Sequence, residues 1–215
     1  MSDHRESPGF RRAEEVKRTH SGRTHTVVAS PTGPLTLVAE GGRLAGLYME
    51  GQRHRPVDGD FGRRVPDAAT SLFAEAARQL ADYFAAALDT FELPLTLHGT
   101  QFQLRVWAAL REIPYGRTCT YGQLAERIGC PGGARAVGLA NGRNPIGVII
   151  PCHRVIGADG HLTGYGGGLE RKRMLLALER GACQAPPPSG RGTTAVRSGT
   201  PWGDGARLGP VIVRV

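Results

Sequence analysis

Short runs in which apolar and polar residues alternate follow an opening segment that has no hydrophobic periodicity. Three such runs, THTVVAS, PLTLVAE and RLAGLYME, are separated by the turn-forming stretches SPTG and GG. Alternation with a period of two, broken by Gly and Pro, is typical of β-strands joined by tight turns. The pattern predicts a small antiparallel meander that begins near Thr24.

A helical pattern follows a polar, Arg-rich segment over residues 51–66 that we interpret as a loop. In the stretch ATSLFAEAARQLADYFAAAL the spacing of apolar residues changes from two to three or four. This spacing predicts an amphipathic helix. Its apolar stripe contains Leu72, Phe73, Ala76, Leu80, Phe84 and Leu88. The next run, LPLTLH, is interpreted either as a strand or as a link to the second half.

The second half has mainly helical patterns. TQFQLRVWAALREI places four apolar residues on one face: Phe102, Val106, Trp107 and Leu110. After the short helices described below, IGVII predicts a strand or an extended segment that leads into PCHRV. GADGHLTGYGGG contains too many glycines for a regular element. The last element is an amphipathic helix, LERKRMLLALERG, that we expect to stop at Gly181.

Two short helices over residues 121–129 and 134–143, joined by a Gly/Pro turn, predict a helix-turn-helix. The residues expected between the helices are apolar, namely Leu124, Ala125, Ile128, Val137 and Ala140. Arg135 and Arg143 are placed on the second helix, and Arg135, near its start, is expected to reach into a duplex. Such helix pairs also occur in domains that never bind DNA, so this feature alone leaves the function open.

These elements predict an α+β protein. A small N-terminal antiparallel sheet-plus-helix domain, residues 24–99, precedes a mainly helical C-terminal domain, residues 100–183, with the helix-turn-helix. Residues 1–23 are interpreted as a disordered lead-in and residues 184–215 as a low-complexity tail. The closing run PVIVRV has the composition of a strand, but no partner for it is evident in the sequence.

Composition narrows the class of protein. A chain of 215 residues is long enough to bury a core without disulfide or metal cross-links. It has no apolar run long enough to span a membrane and no secretory signal at its N-terminus, so we expect a cytoplasmic protein and no membrane partner. A net charge of +8 favours a polyanionic partner. All but two of the 27 basic residues are arginine, however, which a GC-rich genome explains equally well.

The four cysteines, Cys119, Cys130, Cys152 and Cys183, show neither C-x-x-C pairing nor zinc-finger spacing with histidine. Without an export signal we expect reduced thiols. The segment IPCHRV contains the strongest candidate for a reactive one, because only a thiolate is nucleophilic and cationic neighbours lower a thiol pKa.

In an extended chain, Cys152 and His153 would point to opposite faces, so we expect a bridging water between the thiol and the imidazole. Glu179, which lies 27 positions after Cys152, is the candidate carboxylate that orients the imidazole. For an arbitrary Cys-His pair, the more common situation is a structural thiol beside a hydrogen-bonded histidine.

The stretch NGRNPIGVIIPCHRV, with TYGQLAERIG before it and GYGGGLERKRMLLALE after it, resembles the O6-alkylguanine-DNA alkyltransferases, also called methylated-DNA–protein-cysteine methyltransferases. The likeness covers about residues 100–181, is looser over 24–99 and is absent from both ends. It implies repair of DNA by irreversible transfer of the alkyl group of O6-alkylguanine, and of O4-alkylthymine, to Cys152. The partner would be double-stranded DNA containing the lesion, bound by a monomer associated with the nucleoid.

The resemblance also implies roles for individual residues. Cys152 would accept the alkyl group, with His153 and Glu179 as its relay. Tyr121 would donate to N3 of the base and help to rotate its phosphate. Asn144 would brace the turn beneath the site.

On the DNA side, the resemblance implies that Arg135 takes the place of the flipped nucleotide in the stack. Ala134 and Arg143 would be further DNA contacts. The base pocket would include Val155, Tyr165 and Gly166, and the small Gly147 suggests room for alkyl groups larger than methyl. No cofactor is implied, and the zinc site of some members is not available because no cysteine precedes Cys119.

Physical chemistry agrees with this assignment. An O6 substituent inside a stacked duplex is out of reach of a thiol, so the nucleotide must be flipped into a pocket. The glycines of residues 164–168 allow the backbone to approach a flat base closely. A thioether has no easy leaving group, so we expect one transfer per molecule.

Two rival interpretations remain open at this point. The first is a sentinel that binds alkylated DNA without repairing it, although the non-repairing relatives lack the acceptor cysteine that this chain has. The second is a cysteine hydrolase with a Cys-His-Glu relay, which would turn over and would need no Arg-bearing helix-turn-helix.

Overall fold

The computed structural model describes residues 22–66, 70–184 and 211–214. Its first three strands, β1 (Arg23–Val28), β2 (Leu35–Glu40) and β3 (Arg43–Met49), form the predicted antiparallel meander. Both faces of β2 are covered, because Leu35 and Leu37 lie in the main core and Val38, which points the other way, packs in a second small cluster.

The sheet extends beyond this meander through parallel pairings. β4 (Arg63–Arg64) pairs with β1, and β5 (Leu95–His98) pairs with β3, so LPLTLH is a strand. The segment 51–66 is therefore more than a loop, because it contains β4 and a 3-10 turn over Asp58–Phe61. The strand order is β4-β1-β2-β3-β5-β8, where β8 (Val211–Arg214) pairs in parallel with β5. The closing run PVIVRV thus has its partner in β5.

The helix predicted from the first apolar stripe is α1 (Ser71–Phe84). The Thr70 hydroxyl accepts a hydrogen bond from the Phe73 amide and caps the N-terminus. Its buried face holds Phe73, Ala76, Gln79, Leu80 and Tyr83. Leu88 lies beyond the helix, which stops because Ala86 adopts a left-handed conformation with φ 57°.

The second half begins with α2 (Gln101–Arg111), capped by Thr100 and Gln103. After β6 (Cys119–Thr120) come α3 (Tyr121–Arg127) and α4 (Ala134–Gly142), the predicted helix-turn-helix. The expected apolar residues fill the space between these helices, with Ile128 partly buried and the other four buried. The Trp107 indole of α2 donates to the Ala140 carbonyl at 2.9 Å, so α2 holds α4 in place.

The segment between α4 and the last helix differs from the prediction. IGVII forms no strand; Ile146 makes one isolated bridge with Leu47 of β3. Residues Cys152–Arg154 form a 3-10 turn, followed by β7 (Val155–Ile156), which pairs with β6. Residues 157–168 contain neither helix nor strand, as predicted.

The last helix, α5 (Leu169–Gln184), continues through Gly181, so the predicted stop at this glycine is wrong. Gly181 has no left-handed φ, and nothing around its Cα requires the chain to turn. Within the described ranges, no helix is long and apolar enough to cross a membrane.

One hydrophobic cluster joins the two halves. It contains Leu47 of β3 and Tyr83 of α1 together with Trp107 of α2 and Cys152. The segment that carries Cys152 therefore packs on the N-terminal sheet, and the position of the thiol depends on both halves.

Candidate functional site

Cys152 begins the 3-10 turn and is only 6 % exposed. Its amide donates to the Ile150 carbonyl at 2.8 Å, and its carbonyl accepts from the Asn141 side chain at 3.3 Å. Both bonds fix the backbone that presents the thiol. Asn141, one of the buried polar residues, is a contributor that the sequence analysis missed.

Burial raises the pKa of the Cys152 thiol above its ordinary value. The Asn144 side chain, the Lys172 charge and the amides of the turn lower it, but burial outweighs them. The sequence suggested that cationic neighbours would dominate, and here the balance is the reverse. At neutral pH the sulfur is a thiol, and it needs a base to become a nucleophile.

The structure brings His153 and Glu179 together, although they are 26 positions apart. The imidazole Nε2 lies 2.8 Å from Glu179 Oε1, and both side chains are fully buried. Because the carboxylate can only accept, Nε2 carries the proton, and the Nδ1 of the neutral ring is an acceptor. Among the described residues, Nδ1 has no hydrogen-bond partner. The extended backbone assumed for Cys152 and His153 is wrong, because both lie in the 3-10 turn.

Glu179 accepts further hydrogen bonds from three groups. The Arg154 Nε donates to Oε2 at 2.9 Å, the Gly116 amide to Oε2 at 3.1 Å and the Tyr83 hydroxyl to Oε1 at 2.8 Å. Burial acts to raise the pKa of Glu179, but the bonds from His153 and Arg154 outweigh burial and lower it to about 2. Burial in turn lowers the pKa of His153, so the imidazole is held neutral beside a carboxylate.

Asn144 is buried beneath this turn. Its Nδ2 donates to the Ile150 carbonyl at 2.8 Å, and its Oδ1 accepts from the Ile146 amide at 3.0 Å. These two bonds hold the two ends of residues 146–150, the run predicted as a strand or an extended segment, and fold it back towards Cys152.

Tyr121, the first residue of α3, faces the glycine-rich segment. Its hydroxyl donates to the Thr163 carbonyl at 3.1 Å and lies 3.4 Å from the Gly164 carbonyl. Lys172 of α5 is buried and donates to the Thr163 carbonyl at 2.7 Å and to the Val155 carbonyl at 2.6 Å. Burial lowers the pKa of Lys172 to about 8. No local pattern in the sequence marks Lys172, which is one of only two lysines in the chain.

The pocket residues predicted from the resemblance lie near the N-terminal half. The Gly166 carbonyl accepts from the Arg53 amide at 2.8 Å, and the Tyr165 hydroxyl lies 3.9 Å from the Met49 sulfur. The Gly147 amide donates to the Leu47 carbonyl of β3 at 3.2 Å. These contacts attach the glycine-rich segment and the turn to β3 and to the residues that follow it.

The outer face of α4 is the candidate nucleic-acid interface. Arg135 is exposed, and Ala134 is half-buried at the first turn. Arg143 is exposed but caps the C-terminus of the helix, so its predicted position within the helix is wrong by one residue. Leu139, four residues after Arg135 on the same helix, is 65 % exposed.

No group of His, Cys, Asp or Glu residues within the described chain could hold a metal ion. Near Cys152, the side chains of His153 and Arg154 are both hydrogen-bonded to the Glu179 carboxylate. The site therefore combines a buried thiol, a neutral imidazole whose Nδ1 has no partner in the described part of the chain, and a carboxylate held ionised.

Two family models match the chain. The model described as the DNA binding domain of 6-O-methylguanine DNA methyltransferase matches residues 101–181, and the model described as its ribonuclease-like domain matches residues 24–97. Among curated proteins, the methylated-DNA–protein-cysteine methyltransferase of Mycobacterium tuberculosis is 52 % identical over 161 residues, which is 75 % of this chain and 94 % of that protein. The protein of the same name from Methanosarcina acetivorans is 48 % identical over 163 residues, 74 % of this chain and 99 % of that protein.

Solved structures give the same result. A crystal structure of Mycobacterium tuberculosis OGT in complex with DNA superposes with a TM-score of 0.66 at 52 % identity. The match covers 74 % of this chain and 94 % of that one. A crystal structure of the O6-methylguanine methyltransferase of the same organism has a TM-score of 0.69 at 51 % identity, covering 77 % of this chain and 96 % of that one.

Proposed function

This chain belongs to the methylated-DNA–protein-cysteine methyltransferase family, and we propose that Cys152 is the residue to which it transfers the alkyl group. The protein repairs DNA by direct alkyl transfer, as a single-turnover alkyltransferase whose partner is DNA.

The observation that carries the assignment is the hydrogen bond between His153 Nε2 and Glu179 Oε1, next to a buried thiol. This bond fixes the tautomer in which His153 Nδ1 is an acceptor. A water between Nδ1 and the Cys152 sulfur completes a proton path without requiring the two side chains to touch. Lys172, whose charge acts on Cys152, favours the anion that results.

The transfer step follows from these positions. The thiol proton passes through the water to His153 Nδ1, and the sulfur forms a bond to the alkyl carbon. The carbon–O6 bond breaks and its electron pair stays on the purine. The purine anion takes up one proton, which balances the thiol proton that His153 received, and Tyr121 assists by donating a hydrogen bond to N3. Because a phenol has one hydrogen, Tyr121 must give up its bond to the Thr163 carbonyl to do so.

DNA must deliver the lesion as a flipped nucleotide. We assign α4 to the DNA surface, with Arg135 replacing the nucleotide in the stack and with Ala134 and Arg143 contacting the backbone. Filling the gap in the stack offsets part of the unstacking cost, which is about a few kcal/mol. We place the protein where DNA is accessible, in the cytoplasm and at the nucleoid.

The base pocket is assigned to Val155 and to the glycine-rich segment with Tyr165 and Gly166. Gly147 would leave room for alkyl groups larger than methyl, and O4-alkylthymine is included as a second substrate. The product is a thioether, from which water cannot easily displace the alkyl group, so each chain acts once.

The test is transfer of a tritiated methyl group from duplex DNA containing O6-methylguanine. Label should appear on the unmodified protein. It should also appear on the Cys119→Ser control, because the thiol that this change removes is buried and burial raises its pKa to about 11. Cys152→Ser should take up no label and still bind the duplex. Label on Cys152→Ser would show that another thiol is the acceptor.

The same experiment separates the rival interpretations. A sentinel would bind the duplex without any label reaching the unmodified protein. A hydrolase would cleave an ester or a peptide with repeated turnover. The family relationship favours repair over both, and Cys152 supplies the acceptor that a sentinel lacks.

A further inference from the structure

Glu179 belongs to the C-terminal half, but one of its hydrogen-bond donors comes from the N-terminal half. The Tyr83 hydroxyl of α1 donates to Glu179 Oε1 at 2.8 Å across 96 positions of sequence. Both residues are completely buried. The other donors, His153, Arg154 and Gly116, all lie in the C-terminal half.

Tyr83 and His153 share the same carboxylate oxygen. Each donor lies 2.8 Å from Oε1, and Arg154 Nη2 donates to that oxygen as well, at 2.9 Å. A phenol proton on this oxygen withdraws electron density from the bond to the imidazole. It also restricts rotation of the carboxylate, because Oε1 and Oε2 are no longer interchangeable.

The Tyr83 hydroxyl is held in place by its ring. The ring contacts Phe84 and Phe91 at centroid distances of 5.3 Å and Tyr115 at 6.0 Å. Burial, with the nearby Glu179 charge, raises the pKa of Tyr83 far above its ordinary value, so the phenol keeps its proton. It therefore acts as a hydrogen-bond donor to Glu179 at neutral pH.

We propose that Tyr83 is a positioning residue for alkyl transfer, which holds the Glu179 carboxylate that orients His153 and makes the N-terminal half part of the reaction machinery. The proposal rests on the assignment of His153 as the base that receives the Cys152 proton. It gives a reason for the tyrosine on the buried face of α1, whose hydroxyl lies at the carboxylate.

The consequence is a specific change in pH dependence. The charged groups around the imidazole are Glu179, Arg154 and Lys172, and Cys152 is the preceding residue of the same buried turn. Removing the phenol leaves Oε1 with more negative charge towards His153, which favours the imidazolium and raises the pKa of His153. Because the relay needs neutral imidazole, the fall in rate at acid pH should then begin at a higher pH.

The experiment compares Tyr83→Phe with Tyr48→Phe, a buried tyrosine of β3 that packs on Phe61 in a separate cluster. The second-order rate constant for alkylation by free O6-benzylguanine is measured over a pH series from acid to alkaline, which removes DNA binding from the readout. For Tyr83→Phe we expect the rate at neutral pH to fall about threefold to tenfold, the effect of one hydrogen bond. We also expect the acid limb of its pH–rate profile, the part in which the rate falls at low pH, to move to higher pH. The profile of Tyr48→Phe should coincide with that of the unmodified protein.

An acid limb of Tyr83→Phe that coincides with that of the unmodified protein would overturn the proposal, even if the rate fell. Site-specific 3-fluorotyrosine at position 83 gives a second test that keeps the side chain, and this stronger donor should move the acid limb to lower pH. Label on Cys152→Ser would contradict the acceptor assignment, whereas an unshifted limb with Cys152 labelled would contradict only the role of Tyr83.

Discussion

Cys152 and His153 are adjacent, buried and both held uncharged in the resting protein. Burial raises the pKa of the thiol and lowers the pKa of the imidazole, so neither ionises at neutral pH without the other. A proton transfer between them creates a charge pair inside the protein, which Glu179 and Lys172 stabilise. The resting thiol is consequently a poor nucleophile until a base takes its proton.

Acid should destabilise the fold through the same residues. The pKa of Glu179 is lowered to about 2, so its stabilising contribution is complete above its unfolded pKa and is lost as the pH falls towards 2. His153, whose folded pKa is also lowered, acts in the same direction, beginning near its unfolded value of about 6.5.

Urea unfolding at a series of pH values from neutral to acid measures this prediction. The free energy of unfolding should decrease steadily below pH 6.5, the ordinary pKa of histidine, and more steeply below pH 4.5, that of glutamate. A free energy that stays constant through both values would show that the buried imidazole–carboxylate pair does not form.

Among the single residues of the site, those that belong to a local sequence motif were predictable, and those that the fold brings in from distant parts of the chain were not. PCHRV pointed to Cys152 and His153, the need of an imidazole base for an orienting carboxylate pointed to Glu179, and the resemblance implied the same three residues. Tyr83 and Lys172 could not be found this way, because no local pattern distinguishes a tyrosine or lysine that meets a distant carboxylate or carbonyl from one on an ordinary helix face.

The helices were predictable because their signals are local. Thr100 and Thr120 each cap a helix together with a glutamine three positions later, which is a pattern visible in the sequence. IGVII was not predictable, because its β-branched residues favour a strand, whereas Asn144 binds both ends of the segment and folds it into turns. Val148, with φ 68°, shows how far tertiary contacts override local preference there.

The helix-turn-helix provides a prediction about Arg135. Arg135→Ala should slow repair of duplex DNA by about tenfold or more, because the unstacking cost of a few kcal/mol is no longer offset. Reaction with free O6-benzylguanine should stay within about twofold, since no stack is involved. Arg64→Ala, which removes one exposed arginine from β4, is the control for net charge. Equal losses on both substrates would contradict the stacking role.

The glycine-rich segment over residues 157–168 provides a further prediction. Gly164 has φ 65°, and a Cβ on it would lie 2.7 Å from the Tyr121 hydroxyl. Gly160 has φ 78° with nothing within 4 Å. Both alanine variants therefore share a backbone cost of about 1–2 kcal/mol.

Only Gly164→Ala should also displace Tyr121. Alkyl transfer should therefore drop by about tenfold or more in Gly164→Ala and by much less in Gly160→Ala, while Tm falls similarly in both. The prediction is tested by measuring the rate of alkyl transfer and the Tm of both variants. Equal transfer rates would show that Tyr121 is not held by this segment.

Across the whole molecule, one core and several backbone bonds join the halves. Arg171 of α5 donates to the Thr32 carbonyl at 2.9 Å and to the Glu50 carbonyl at 2.8 Å, and so ties the last helix to the N-terminal sheet. The α+β class and the order of the halves followed from the hydrophobic pattern. Their mutual packing did not, because contacts between distant segments leave no periodic trace.

Truncation after Gln184 tests the tail. It removes β8, which pairs with β5 at the edge of the sheet, but none of the residues assigned to transfer. The rate of repair should stay within a few-fold, while Tm falls because the outer edge of β5 loses its backbone partners. Thermal unfolding and labelled-DNA transfer measure the two effects. A truncated protein that cannot fold would show that the tail belongs to the domain itself.

The most direct test of the account is the mass of the protein after it reacts with excess O6-methylguanine duplex. We expect the intact chain to gain the mass of one CH₂ unit, and peptide mapping to place it on the fragment that contains Cys152. Unmodified mass, or a methyl group on a fragment containing Cys119, Cys130 or Cys183, would contradict the assignment of Cys152 as the acceptor.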